Sequence, residues 1–257
     1  LLLLLLETIK TYNKNELNLN ITYPKAFSQD QTNLYKQYWE IACNDFLQEP
    51  IQISQNFYTE GYSAGIFFKN LNNPEERAYI NDVAICLDVG GKTTDIAIWY
   101  DGKIVLSASI LLAGENIIDA FRVKRNLCEL LFSEEANRYL NDVLNKPKEF
   151  ASLLNIIFKR EENDIKRNLL RYAKKPEFIW LRKILALQFS AIAFYTAMLV
   201  AYIAQKQPNI INKLIERTSL HWGGNGAKFL SWITFGRFER EGPAIKLLNL
   251  IFREALL

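Results

Sequence analysis

The sequence has 257 residues, with 31 Lys and Arg against 28 Asp and Glu and a formal net charge of +3. Hydrophobic residues make up 49% and charged residues 23%, which excludes disorder of the whole chain, and the small basic surplus carries no bulk signature of nucleic-acid binding. Three cysteines exclude a disulfide scaffold, and a single histidine argues against a zinc cage and leaves His221 alone for any Ser-His-Asp or Cys-His arrangement.

Leu1 to Asn13 reads as a helix. It opens on six leucines without an initiator Met or a basic leader, and Phe252 to Leu257 bring no capping signal, so the expectation is a piece of a longer protein. Leu17 to Tyr23 alternates as a strand stopped by Pro24. Ser28 and Gln31 form a capping box for a helix to about Phe46, with an apolar stripe at Leu34, Tyr38, Ile41, Ala42 and Cys43. Ile51 and Ile53 mark a short strand, Glu60 to Phe68 a helix, and Asn70 to Arg77 a polar loop and domain boundary. Three strands follow, at Ala84–Leu87, Ile96–Tyr100 and Ile104–Ser109, the last two joined by an Asp101-Gly102 hairpin turn. Glu115 to Phe132 reads as one helix. Ser133 to Arg182 is helical and charged, with breaks at Pro147 and Pro176; between Lys159 and Lys183 nine basic residues face four acidic ones. That surplus reads as a solvated helical face rather than a ligand contact.

Ile184 to Ala204 is apolar on all sides and long enough to span a bilayer. Its flanks are ordinary soluble sequence, so it reads as the buried core helix of a protein without a membrane span. Thr218 to Trp222 is a strand, Ala227 to about Thr234 a helix, and Ile245 to Leu256 a final helix. The cysteines read as small buried hydrophobes of a reducing, cytoplasmic compartment. The five tryptophans are scattered and make no stacking platform for nucleic acid.

Two glycine turns carry the chemistry. In the first, Asp88-Val89-Gly90-Gly91-Lys92-Thr93-Thr94-Asp95, glycines between two strands let backbone N–H groups turn toward an anion, and Thr93 and Thr94 add hydroxyls. Carboxylates beside a phosphate cradle act through a divalent cation, because bare carboxylate repels phosphate; magnesium held by Asp88 and Asp95 fits. The second, His221-Trp222-Gly223-Gly224-Asn225-Gly226, joins a strand to a helix and offers free N–H groups and a positive dipole end. His221 itself has no partner for acid–base work and reads as a strand-end residue.

The two turns together resemble the nucleotide-binding superfamily of actin, the heat-shock chaperone ATPases and the sugar kinases. The first is similar to its phosphate motif Asp-x-Gly-Gly-Gly-Thr-x-Asp, the second to its adenosine motif. Ile21-Thr22-Tyr23-Pro24-Lys25-Ala26-Phe27, Glu60-Gly61-Tyr62-Ser63-Ala64-Gly65-Ile66 and Gly114-Glu115-Asn116 resemble chaperone segments in the same order. The resemblance implies an α/β fold of the actin-like (ribonuclease H-like) type, a mixed sheet flanked by helices with an inserted helical lid. It implies a partial first lobe at 1–75 and a second lobe at 76–257, with the lid at about 133–182. It places Asp88 and Asp95 at magnesium and the attacking water, and Glu60 near the reacting phosphate. Gly90, Gly91, Lys92, Thr93 and Thr94 would lie at the terminal phosphates, and Gly223, Gly224, Asn225 and Gly226 along the ribose and α-phosphate.

Lys92 departs from the pattern, standing where the family has a third glycine. The family's first phosphate motif is absent from this sequence, and the last helix lacks the small-residue hinge pattern. The expected function is binding of ATP with magnesium and slow hydrolysis in the intact protein, coupled to a protein partner or self-assembly. The alternative is a non-hydrolysing scaffold for protein assembly; a sugar kinase is less favoured, because no substrate-specific cluster stands out.

Overall fold

The structure is a computed structural model that describes residues 16–46, 52–71, 83–208 and 218–233, together with positions 7, 11, 246, 250, 251 and 254. The expected opening and closing helices and most of the 70–77 linker lie outside these residues. In chain order the elements are β1 (Glu16–Tyr23), α1 (Gln29–Phe46), β2 (Gln52–Thr59), α2 (Glu60–Lys69), β3 (Val83–Val89), β4 (Thr94–Tyr100) and β5 (Lys103–Ile110). Then come α3 (Gly114–Val123), α4 (Asn126–Leu131), α5 (Glu134–Asp142), α6 (Pro147–Arg160), α7 (Glu162–Arg171) and α8 (Pro176–Lys206). The last are β6 (Thr218–Gly223), a 3-10 turn (Ala227–Phe229) and α9 (Leu230–Ile233).

Two sheets organise the described chain. β1 and β2 pair in parallel from Glu16↔Gln52 to Tyr23↔Thr59. This eight-residue ladder makes β2 longer than the short strand expected around Ile51 and Ile53. The second sheet has the order β5-β4-β3-β6, with antiparallel β5-β4-β3 and β6 parallel to β3. It is therefore a mixed sheet, and helices cover both faces. Val83, Ile85, Leu87 and Val89 of β3 join the large core with Ile117, Phe121, Phe189 and Ile192. The alternate residues Ala84 and Cys86 join Ala97, Trp99 and Phe68 of α2 in a second cluster. Burial on both faces explains why β3 is a continuous apolar run rather than an alternating one.

The Asp101-Gly102 turn forms as expected, with φ of 50° and 73°, the pair of positive values a two-residue type I′ hairpin requires. The Ser28 capping box is present too: Gln31 N–H donates to Ser28 Oγ (3.2 Å), and Ser28 N–H donates to Gln31 Oε1 (2.8 Å).

Several expectations are corrected. The α1 stripe is rotated: Cys43 is buried as expected, but Leu34, Tyr38 and Ile41 are exposed, and α1 packs through Tyr35, Trp39 and Cys43 on Leu19, Ile21 and Phe57. The single helix expected over Glu115 to Phe132 is two. Lys124 leaves helical geometry (φ −109°, ψ 75°), and the turn there lets Leu127 and Leu131 reach the core that holds Ile117 and Phe121. The breaks expected at Pro147 and Pro176 are present, each proline standing as first residue of α6 or α8 where a missing N–H costs nothing, but an unexpected further break falls at Glu161. The helix expected from Ala227 begins as a 3-10 turn.

α8 is long and apolar enough to cross a membrane, but it is not buried all round. Phe189, Ile192, Thr196 and Val200 face the core, while Leu187, Phe194, Met198 and Tyr202 are exposed. Buried Gln188 donates from Nε2 to Ala113 O (2.7 Å), tying α8 to the start of α3. All three cysteines are free and buried.

Candidate functional site

β3 and β6 run in parallel side by side and end together, with Asp88 opposite Gly223. The two glycine turns therefore emerge at the same edge. Gly226 N–H donates to Val89 O (2.8 Å), clasping one turn to the other. The first turn is closed by Gly90 N–H to Thr93 O (2.9 Å). The start of α3 docks beneath it, with Gly114 N–H on Gly90 O (3.0 Å) and Glu115 N–H on Gly91 O (2.7 Å). Among the described residues, the N–H groups of Gly91, Lys92 and Asn225 donate no hydrogen bond. Such groups are what an anion recruits at a glycine turn.

The close approach demands glycine at the second turn. Gly224 has φ +81°, and a Cβ there would lie 2.3 Å from Asp88 Oδ1 and 2.4 Å from Val89 O. At Gly226 it would lie 2.6 Å from Val89 Cγ1.

The carboxylates gather beside the clasp. Asp88 and Asp95 are directly opposite in the β3–β4 register, so both point to one side of the sheet, where like charges repel. Asp95 is buried and accepts from Lys25 N–H (3.2 Å) and from Thr93 Oγ1 (3.2 Å). Glu60, the first residue of α2, completes the group. Burial, a hydrogen bond to the Asp95 side chain and the charges of Asp95 and Asp88 push its carboxyl up to about 7. A helix N-terminus favours a carboxylate by only about 0.3–1 kcal/mol, which is too little to reverse that. Asp88 is also raised, by burial and then by Asp95. Thr22, Glu60, Asp88, Gly223 and Gly224 border a cavity of about 300 Å³.

The raised Glu60 carboxyl has a sign that can be tested. Its contribution to stability is fully present below the unfolded value of 4.5 and is lost as pH rises through about 7. Glu60→Gln is expected to be more stable than the parent chain by roughly 1 kcal/mol at about pH 8, after discounting for solvent screening, and equal to it near pH 4. Urea denaturation at the two pH values checks this; equal gains at both would exclude it.

The structure brings together most, but not all, of the residues expected at the site. Thr94 is buried and its hydroxyl donates to Leu112 O (2.6 Å), which braces the strand end. Thr93 is turned to Asp95. Lys92 is exposed at the tip of the turn. The second glycine turn divides. Gly223 and Gly224 border the carboxylate cavity, whereas Asn225 and Gly226 border another of about 220 Å³ with Gly90 and Gly91. That second cavity also takes Asn155 and Lys159 of α6 and Lys228 after the turn.

The charged face of the helical segment is solvated as expected, and its exposed Lys159 also borders this cavity. Close by, Arg160–Glu135, Lys166–Glu162 and Arg167–Asp164 are exposed ion pairs. The basic surplus from Lys159 to Lys183 does not single out Lys159, whereas Lys228 could have been read as a cation two residues past a glycine turn.

Magnesium is tested by the donor set. Among the described residues no group of three His, Cys, Asp or Glu side chains is arranged to hold a metal. Two opposed carboxylates still fit magnesium, which takes one or two protein carboxylates and completes its shell with phosphates and water.

No protein-family model matches the chain, and no curated protein matches it. Among solved structures it is similar to MreB5 of Spiroplasma citri bound to ADP, at 15% identity and TM-score 0.41, covering 99% of this chain and 74% of that one. It is similar to the ethanolamine utilization protein EutJ from Carboxydothermus hydrogenoformans, at 12% identity and TM-score 0.40, over 90% of this chain and 57% of that one. A third likeness is to the PilM–PilN type IV pilus biogenesis complex, at 13% identity and TM-score 0.33, over 89% and 59%.

Proposed function

We propose that this chain is the nucleotide-binding part of an actin-like ATPase, binding ATP with magnesium between the clasped glycine turns and the helical segment α5–α7. In this reading residues 1–75 belong to a first lobe and 76–257 to a second, with the lid at about 133–182. The clasp carries the reading. Two glycine turns are held together by Gly226 and Val89, with unpaired N–H groups and two lysines around one cavity and carboxylates beside it. N–H groups and lysines bind phosphate oxygens, and a Gly224 or Gly226 side chain would wedge the turns apart.

Bound magnesium would be held by Asp88 and Asp95 and would neutralise phosphate charge. The remaining work falls to this chain's own groups. Gly91 and Lys92 N–H orient the phosphates, and Thr93 and Lys25 N–H hold Asp95 in place. Glu60, beside Asp88 at the same cavity, would orient a water and take its proton. Phosphoryl transfer of this kind works by positioning and electrostatics. Coupling to a protein partner or to self-assembly belongs to the same proposal.

The test is calorimetric titration of the chain with ATP and magnesium, with Asp88→Ala alongside. Binding in the parent chain and at least a tenfold loss in the variant is the expected result. The rival, a non-hydrolysing scaffold, rests on exposed Lys92 in place of a glycine. It is favoured if the parent chain shows no binding at millimolar ATP.

A further inference from the structure

Lys159 and Lys228 are an unusual pair of cations. They come from distant parts of the chain, the last turn of α6 and the turn after β6, yet they border the same cavity. Among the described residues neither forms a salt bridge, although Arg160, Lys166 and Arg167 close by all do. Lys228 is held in place by aromatic faces, its Nζ 4.9 Å from the Phe158 ring centre and 5.4 Å from that of Phe229. Burial lowers its pKa, Lys159 lowers it further, and Glu162 offsets this only in part. Glu162 is already bonded to Lys166. Lys228 is half-buried and Lys159 exposed at the rim of the same cavity, and like charges there repel, so an anion placed between them is favoured. Gly90 and Gly91 border the same space, with the free N–H of Gly91 as a further donor.

We propose that Lys159 and Lys228 form a clamp that selects the ligand by its phosphate charge, taking a nucleoside di- or triphosphate and discriminating against the uncharged nucleoside. This rests on the nucleotide-binding reading above and adds the residues that set specificity. Because Lys159 belongs to α6, the same contact would draw the helical segment toward the glycine turns when the anion binds.

A clamp differs from a structural lysine in the sign of two effects. Removing one charge relieves the repulsion, so the ligand-free protein gains stability, while the hold on phosphate is lost. Lys159→Met, which keeps an apolar stem of similar length, is therefore expected to raise the urea midpoint of the free chain. It is expected to weaken ADP and inorganic pyrophosphate about tenfold and to change adenosine affinity by less than about twofold. Lys228→Met should weaken ADP and pyrophosphate similarly, and Lys159→Arg should restore both affinities.

The measurements are calorimetry with ADP, pyrophosphate and adenosine, and urea denaturation of each variant without ligand. Equal losses for ADP and adenosine would overturn the clamp while leaving the nucleotide site standing. A lower midpoint for Lys159→Met with ADP affinity unchanged would do the same and make the lysine structural. Failure of the parent chain to bind ADP, pyrophosphate or adenosine would overturn the nucleotide reading and the clamp together.

Discussion

Gly224→Ala is expected to destabilise the chain by about 3 kcal/mol and to abolish nucleotide binding. Two costs combine. A φ of +81° is closed to an L side chain at a penalty of about 1–2 kcal/mol. The added methyl also lands 2.3 Å from Asp88 Oδ1 and 2.4 Å from Val89 O. The first could swing aside at the expense of the carboxylate geometry; the second is backbone of a central strand and cannot. Relief requires β6 to separate from β3 at the clasp, which breaks the Gly226 N–H to Val89 O bond. The check is a urea midpoint together with a calorimetric titration. Gly91→Ala is the control, because a Cβ there meets nothing within 4 Å, and it should cost less than about 1 kcal/mol. Equal losses at the two positions would refute the clasp as drawn.

Phe158→Ala is expected to cost about 4 kcal/mol, within the range for truncating a buried Phe. Its ring is 4% exposed and lies 5.6 Å from Phe121, 5.7 Å from Phe132, 5.3 Å from Phe229 and 5.5 Å from Trp232, centre to centre. These residues come from α3, the end of α4, the 3-10 turn and α9, so one ring joins the helical segment to the second glycine turn. The geometries are edge-on or close to it, which aromatic pairs prefer. Lys228 rests on the same ring, so the variant should also weaken ADP binding. Phe158→Leu keeps most of the volume and should lose about 1 kcal/mol. Denaturant unfolding with an unchanged slope would show that the loss is one of stability alone. A loss below about 1 kcal/mol for Phe158→Ala would mean that the cluster does not pack as a unit.

Much of this molecule was readable from local sequence. Strand positions follow from short apolar runs, the hairpin from Asp101-Gly102, and the start of α1 from Ser28 and Gln31, because each is decided by interactions within a few residues. The glycine turns, with Asp88 and Asp95 flanking the first, were equally legible, since the residue types themselves announce the backbone geometry. Pro147 and Pro176 marked breaks in the helical segment for the same reason, since proline interrupts a helix interior.

Tertiary structure decided what periodicity could not. The buried face of α1 runs through Tyr35, Trp39 and Cys43, because the sheet beneath it offers Leu19, Ile21 and Phe57 there; Leu34 and Tyr38 have the same local pattern and no partner. The Thr94 hydroxyl finds its acceptor in Leu112 O, eighteen positions away, at 2.6 Å. Glu60 owes its raised carboxyl to burial and then to Asp95, thirty-five positions away in sequence. Lys159 and Lys228 border one cavity only because the helical segment folds back over the second glycine turn, bringing residues sixty-nine positions apart to the same space. Backbone geometry is chosen by neighbours along the chain, so the sequence alone determined the turns and the strands. Charge, burial and ligand access depend on neighbours in space, and those exist only once β3 and β6 lie side by side and the helices close over them.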